Sequence, residues 1–264
     1  LDTSFNKTGS APVTVDPDSD WSGISYDPGS ARIVLVGHRK VGKDKDKHGV
    51  FITKVRGDGS YDSTFYAAAS DNLEPVRLMV DDVSRIYVVA NRVDKASDGT
   101  GPDSVTPDRV TAVVAYRFGP NGSPDAVFGS GGMLEIAQQG KSVGALDAFI
   151  SPGGPGAWHP TQLVVGGWTA EGKDGAHMQP VVMRFNDKGS LDSSFASGGR
   201  AELTDAASTH NGRVRRFARD GTGQVGAVGV YRSGTTEAAS STSTTFVARL
   251  SGTGEMDASY GSGG

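Results

Sequence analysis

One string, written five times at nearly constant spacing, limits this chain more than any other feature of its 264 residues. It reads Leu1-Asp2-Thr3-Ser4-Phe5, Tyr61-Asp62-Ser63-Thr64-Phe65, Pro124-Asp125-Ala126-Val127-Phe128, Leu191-Asp192-Ser193-Ser194-Phe195 and Met256-Asp257-Ala258-Ser259-Tyr260. The aspartates lie 60, 63, 67 and 65 residues apart, so five copies enclose four complete units. A period of this length marks a repeat architecture, in which each unit buries its apolar face against its neighbours.

The likeness extends upstream. A glycine stands three positions before each of the last four aspartates, as Gly59, Gly122, Gly189 and Gly254. Five positions before each glycine comes a basic residue followed by an apolar one: Lys54-Val55, Arg117-Phe118, Arg184-Phe185 and Arg249-Leu250. The runs leading into these pairs, "VFIT", "TAVVAY", "PVVM" and "TTFVA", have the length and β-branched character of strands. Each unit also holds an earlier strand, "RIVLVG", "RIYVVA", "QLVVGG" or "QVGAVGV", entered through a turn rich in Pro, Gly, Asp or Ser. A weaker alternating stretch before that turn and a short one after the string, clear in "GMLEIA" and "GRAELT", complete four strands per unit.

Four-stranded antiparallel units repeated head to tail, with no helical pattern between them, predict an all-β fold. The expectation is a β-propeller of four-stranded antiparallel blades, in four repeats of about 60–67 residues. The units run approximately 1–60, 61–123, 124–190 and 191–255, followed by a fifth copy of the string at 256–264. They form either a single propeller domain or part of a larger one, reached through a longer chain or through self-association that completes a larger ring. The stretch from Arg184 to Gly199, with its "R-apolar-x-x-x-G-x-L-D-x-S-F" order and closing glycines, resembles the delta-60 repeat of secreted bacterial proteins. The resemblance covers essentially the whole chain and implies a propeller and a secreted, periplasmic or cell-surface location, with no particular activity. Two copies depart from it: Tyr66 to Ala69 replaces the glycines of the second, and Pro124 replaces Leu in the third.

The string is expected to act as a joint carrying the outer strand of one blade into the inner strand of the next. The glycine supplies a positive φ, and each aspartate (Asp2, Asp62, Asp125, Asp192, Asp257) accepts bonds from local N–H groups. The aromatic (Phe5, Phe65, Phe128, Phe195, Tyr260) fills the space between sheets, for roughly 2–3 kcal/mol if fully buried. The basic residue (Lys54, Arg117, Arg184, Arg249) pairs with a carboxylate within the joint or across blades. The alternative reading of these aspartates is a ring of acidic sites for cations or ligand.

Composition narrows the function classes. With 26 Lys+Arg against 30 Asp+Glu and no long block of one sign, nucleic acid is not an expected partner. Glycine is abundant at 38 residues, placed between short apolar runs as turns require. Cysteine is absent, which removes disulfides and thiolate metal sites and leaves the compartment open. No stretch has the apolar length of a membrane helix, and the start of the chain lacks a signal-peptide pattern, so any export signal is expected to have been removed before Leu1.

Asp16, Asp18 and Asp20 alternate as at the start of a calcium loop, with Asp27 at the twelfth position. Trp21 stands where such a loop needs glycine, so a solvated acidic loop is the other reading. Asp44, Asp46 and His48 alternate similarly among lysines, as a metal face or an exposed mixed-charge loop. The five histidines show no zinc spacing, and neither a nucleophile elbow nor a phosphate loop occurs. Trp21, Trp158 and Trp168 can stack on sugars if exposed, or pack between blades.

The connections around 38–48, 91–110, 168–178 and 231–243, between the expected third and fourth strands, differ most in length and carry the polar excess. Unequal insertions on one face of a repeat often mark the binding face, though surface drift produces the same pattern. The leading expectation is a non-catalytic extracellular scaffold or binding module that meets protein or carbohydrate through this loop face. The alternative is a hydrolase or lyase whose site is assembled from several blades at the central channel.

Overall fold

A computed structural model of the chain describes residues 2–13, 19–41, 44–68, 72–94, 106–138, 140–151, 161–171, 177–203, 211–220, 223–232 and 243–261. These residues form strands and turns and no helix. The strands fall into four antiparallel sheets whose spatial order follows the sequence. The first holds β1 (Ser19–Asp27), β2 (Arg32–Val41), β3 (Asp44–Arg56) and β4 (Tyr61–Ala68). The second holds β5 (Leu73–Val80), β6 (Ile86–Val93), β7 (Val110–Phe118) and β8 (Met133–Ile136). The third holds β9 (Lys141–Ser151), β10 (Gln162–Glu171), β11 (Gln179–Phe185) and β12 (Arg200–Glu202). The fourth, among the described residues, has three strands: β13 (Asn211–Arg219), β14 (Val225–Arg232) and β15 (Ser243–Leu250).

The fold is therefore all-β and built of blade-like sheets, and its strand order corrects one expectation. The joint does not carry the chain from one sheet to the next. The strand after it pairs with the strand before it, as in Val181↔Glu202, Val182↔Ala201 and Met183↔Arg200. The glycine pair explains the reversal: Gly198 and Gly199 have φ of 61° and 95°, and Gly131 and Gly132 have 63° and 92°. Two successive positive φ values fold the chain back onto its own sheet. Gly199 O then accepts from Arg184 N at 2.9 Å, and Gly132 O from Arg117 N at 2.9 Å, extending the ladder. The weaker alternating stretch of each unit is thus the first strand, and the variable connections join second and third strands.

The chain divides into two compact units, Leu1–Asp98 with Val114–Leu134, and Gly99–Val113 with Glu135–Gly264. In the first, strand alternation sends Val34, Val36, Val50 and Ile52 to one face of the first sheet. They pack against Leu73, Leu78, Ile86, Val88, Ala90, Val114, Tyr116 and Phe118 of the second. In the second unit, Val164, Val182 and Phe195 meet Val214, Val225, Ala227, Ala248 and Leu250. The two cores share one rule: a sheet presents Val34 and Val36, or Val164, from its second strand. Its successor presents the opposite face, through Ile86, Val88 and Ala90 or through Val225 and Ala227.

Candidate functional site

Among the described residues, the joints repeat one set of polar contacts. The turn that opens them is the same in all four units. Gly59, Gly122, Gly189 and Gly254 take φ of 83°, 85°, 78° and 84°, and each N–H donates at 2.9 Å to the carbonyl three residues back. The aspartate then closes an Asx turn. Oδ1 accepts from the N–H two residues on, at 2.9 Å for Asp2, 3.2 Å for Asp125, and 3.0 Å for both Asp192 and Asp257. Ser4, Ser194 and Ser259 add their hydroxyls to the same oxygens at 2.7, 2.6 and 2.6 Å. The Ser4 hydroxyl and N–H hold the Asp2 carboxyl below its ordinary value, and Ser259 does the same for Asp257. At Asp192 burial pushes upward, but the Ser194 and Arg184 bonds outweigh it and the net shift is downward.

The second oxygen takes the arginine. Arg117 Nε stands 2.9 Å from Asp125 Oδ2, Arg184 Nε 2.9 Å from Asp192 Oδ2, and Arg249 Nε 2.7 Å from Asp257 Oδ2. Each guanidinium also lies over the ring of its own joint, at 4.8 Å for Phe128, 4.6 Å for Phe195 and 4.7 Å for Tyr260.

Two contacts then tie one joint to the next sheet. Phe195 lies against Gly254, where an added Cβ would stand 2.6 Å from the ring, and Phe65 lies against Gly122 at 2.7 Å. Arg184 donates to Gly252 O at 2.6 Å, and Lys54 donates to Pro120 O. Both acceptors sit two residues before the turn glycine. Phe5 meets Gly59 in the same way at 3.3 Å, and Asn6 N donates to Asp58 O at 2.7 Å just as Ala196 N donates to Thr253 O at 2.6 Å.

The second copy differs where its sequence differs. Without the glycine pair, the string runs straight on as β4, and Asp62 receives Arg32 at 2.6 Å and Arg56 at 2.7 Å. Lys54 is buried, which lowers the pKa of its amine, and its ammonium goes to Pro120.

A second set of residues recurs, which the sequence analysis does not group. Asp27, Asp81 and Asp220 all stand in the turn between first and second strands. Asp81 Oδ1 accepts from Arg85 N at 2.8 Å, and Asp220 Oδ1 from Gln224 N at 3.0 Å. Asp27 is fully buried and takes Gly29 N at 3.1 Å and Ser84 Oγ, from the second sheet, at 2.7 Å. Arg32, Arg85, Gln162 and Gln224 stand at or just before the start of the second strand, and two of them reach the joint: Arg32 bonds Asp62, and Gln162 bonds Asp192 at 3.0 Å. The signal was present in "DPGSAR", "DDVSR" and "RDGTGQ", as an aspartate four or five residues before a long polar side chain.

Of the proposed calcium ligands, Asp16 and Asp18 lie outside the described residues, and Asp20 is exposed on β1. Asp20 and Asp27 stand at opposite ends of that strand, roughly 23 Å apart at about 3.3 Å per residue, so one ion cannot take both. The side chains of Asp44, Asp46 and His48 are outside the described set, as is Trp158. Trp168 is completely buried and unavailable for stacking on sugar; Trp21 is exposed, edge-on to Phe51 at 5.0 Å. Most of 91–110 and 231–243 also lies outside the described residues. No described helix is long and apolar enough to cross a membrane. A scan against protein-family models finds no match to the chain, and a search of curated proteins finds none either.

Proposed function

We propose that the sheets are blades of a β-propeller of the delta-60 type, and that the protein is a non-catalytic extracellular scaffold or binding module. One observation carries this reading: the polar residues that recur are engaged with the fold itself. Asp192 is held by Ser194, Arg184 and Gln162 together, while Arg184 reaches the carbonyl of the adjoining sheet. Such groups set sheet against sheet and leave recognition to segments that vary, the connections between second and third strands. The partner is a protein or a carbohydrate met through those loops.

The test replaces 95–105 and 233–242 by short Gly-Ser turns and compares the variant with the parent on arrays of defined oligosaccharides and peptides. Binding by the parent that is lost in the trimmed protein, with unchanged circular dichroism, is the expected result. Binding that survives the trimming, or turnover of any array member, overturns the reading.

A further inference from the structure

Of the chain's six asparagines, two stand before glycine, as Asn121-Gly122 and Asn211-Gly212. In such a pair the glycine carries no Cβ, so nothing shields its amide nitrogen from the carboxamide that precedes it. The fold treats the two pairs differently. Asn211 is 9% exposed, and Met178 holds both reacting groups: Asn211 Oδ1 accepts from Met178 N at 2.9 Å, and Gly212 N donates to Met178 O at 2.7 Å. Asn121 is exposed, on the turn that precedes Asp125. Its Oδ1 accepts from Ser123 N at 3.0 Å, an Asx turn that folds the carboxamide over the Gly122 peptide. The Ser123 N–H is thereby aimed at the oxygen on which charge develops when Asn121 Cγ is attacked. Gly122 N–H is tied within the turn, to Gly119 O at 2.9 Å, so a local opening frees it, whereas freeing Gly212 means parting Met178 from β13.

We infer that Asn121 is a site of spontaneous covalent modification, converting through a cyclic imide to aspartyl and isoaspartyl linkages, and that the fold protects Asn211 from the same fate. Gly122 N attacks Asn121 Cγ. The N–Cγ bond forms, the Cγ–Nδ2 bond breaks, and ammonia leaves with the proton that Gly122 N gives up. Water, the only co-reactant, then adds to one of the two imide carbonyls. Opening at the former side-chain carbonyl leaves an ordinary aspartyl linkage. Opening at the main-chain carbonyl leaves an isoaspartyl linkage, in which the chain runs through the side-chain methylene.

The two products are not equivalent for the fold. The turn of the first unit already carries an acid where the second carries Asn121: Gly59 has a φ of 83° against 85° for Gly122, and Asp58 Oδ1 accepts from Ser60 N at 2.8 Å. An aspartyl linkage therefore fits the turn. The isoaspartyl linkage lengthens the backbone by one carbon between Pro120 and Gly122, and both of those residues meet the first sheet. Phe65 lies so close to Gly122 that an added Cβ would stand 2.7 Å from the ring, and Pro120 O accepts from the Lys54 ammonium. A longer link between them cannot keep both contacts, so this product loosens the second sheet from the first.

The test incubates the 264-residue chain in warm, mildly alkaline buffer, folded and in urea. Peptide mass spectrometry then follows both asparagines, and enzymatic methylation counts isoaspartyl carboxylates. In the folded protein the peptide holding Asn121 is expected to gain the mass difference between O and NH and to split into two isomers, while the Asn211 peptide stays unchanged. In urea both peptides convert. Asn121→Gln, whose imide ring is one atom larger and closes far more slowly, removes the signal from the folded protein. Asn121→Asp keeps the parent's urea midpoint, and the isoaspartyl fraction unfolds at lower urea. An Asn121 peptide that stays unchanged in the folded protein overturns the inference. So does an Asn211 peptide that converts there as fast as Asn121, or an isoaspartyl fraction with the parent's urea midpoint.

Discussion

Replacing Arg184 by methionine removes the guanidinium while keeping an apolar stem over Phe195. The side chain is 11% exposed and its partner Asp192 13%. Three charge-assisted bonds disappear, to Asp192 Oδ2, Gly252 O and Ser194 Oγ, together with the stacking at 4.6 Å. Asp192 keeps Gln162 and the Ser194 bonds, so its charge is not stranded. The Gly252 carbonyl loses this donor. Hydrogen bonds to charged groups contribute about 1.5–3 kcal/mol and cation–π contacts about 0.5–1 kcal/mol, with partial burial and the remaining Asp192 donors limiting the sum. The expected loss is about 2–4 kcal/mol. Arg249→Met is the internal control: the side chain is 34% exposed and, among the described residues, bonds only Asp257 and Ser259 of its own joint, so its loss is expected near 1 kcal/mol, as for other half-exposed pairs. Both residues belong to the second unit, so one urea transition followed by circular dichroism reports both. Equal losses for the two variants, or a loss below about 1 kcal/mol for Arg184→Met, would refute the claim that the arginine ties adjacent sheets together.

Other perturbations address separate steps. Gly166→Ala drives a Cβ into the Phe217 ring, and with backbone closely packed around the strand it is expected to cost about 2–3 kcal/mol, measured by the same urea transition. Ala196 holds a φ of 44°, where the sister joints have Gly129 and Gly261, so Ala196→Gly is expected to raise stability by ~0.5 kcal/mol in thermal melts; a destabilised variant would show that the methyl packs usefully. The carboxyls of Asp2, Asp192 and Asp257 sit below their ordinary value of 3.8 in the folded chain. Their contribution is therefore complete above that value and is lost as pH falls through it toward the lowered folded values. Urea midpoints taken from pH 6 to pH 2 should fall in that window, and Asp192→Asn should flatten the slope. Burial lowers the Lys54 pKa, so the unfolded chain binds the proton more tightly there and stability should rise with pH toward 10.5 in the parent, a trend absent from Lys54→Met.

The repeat, the all-β class and four strands per complete unit were legible because glycine, basic residue, aspartate and aromatic keep fixed offsets, and only a common backbone geometry enforces that. The role of the joint was not, since a strand after a turn can pair backward or move onward, and sequence spacing is identical for both. The paired positive φ values of Gly198 and Gly199 decide it. Lys54 was grouped with the arginines by position, yet a lysine in that slot reaches past Asp62, and Arg32 and Arg56 take the carboxylate instead. Asp27 is the twelfth position of the candidate calcium loop in the sequence, but in the fold it is buried and bonds Ser84, a partner 57 residues away that no local pattern discloses. Trp168 is open in the sequence to sugar stacking or to packing, and it is core, where Gly144 beside it leaves room for the indole.

The seat that Phe5, Phe65 and Phe195 each find on a turn glycine also bears on how such a chain assembles and diversifies. Phe65 is without its seat until the turn at Gly122 has been synthesised, and Phe195 until the turn at Gly254 has. A nascent chain released after one sheet would therefore expose its ring, and the smallest autonomous folding piece is a pair of sheets, with stability summed over nearest neighbours. Duplication or loss of one whole period keeps these rings matched to their glycines, whereas a change of any other length breaks a match. Array length can thus change in whole periods without redesign of any interior contact.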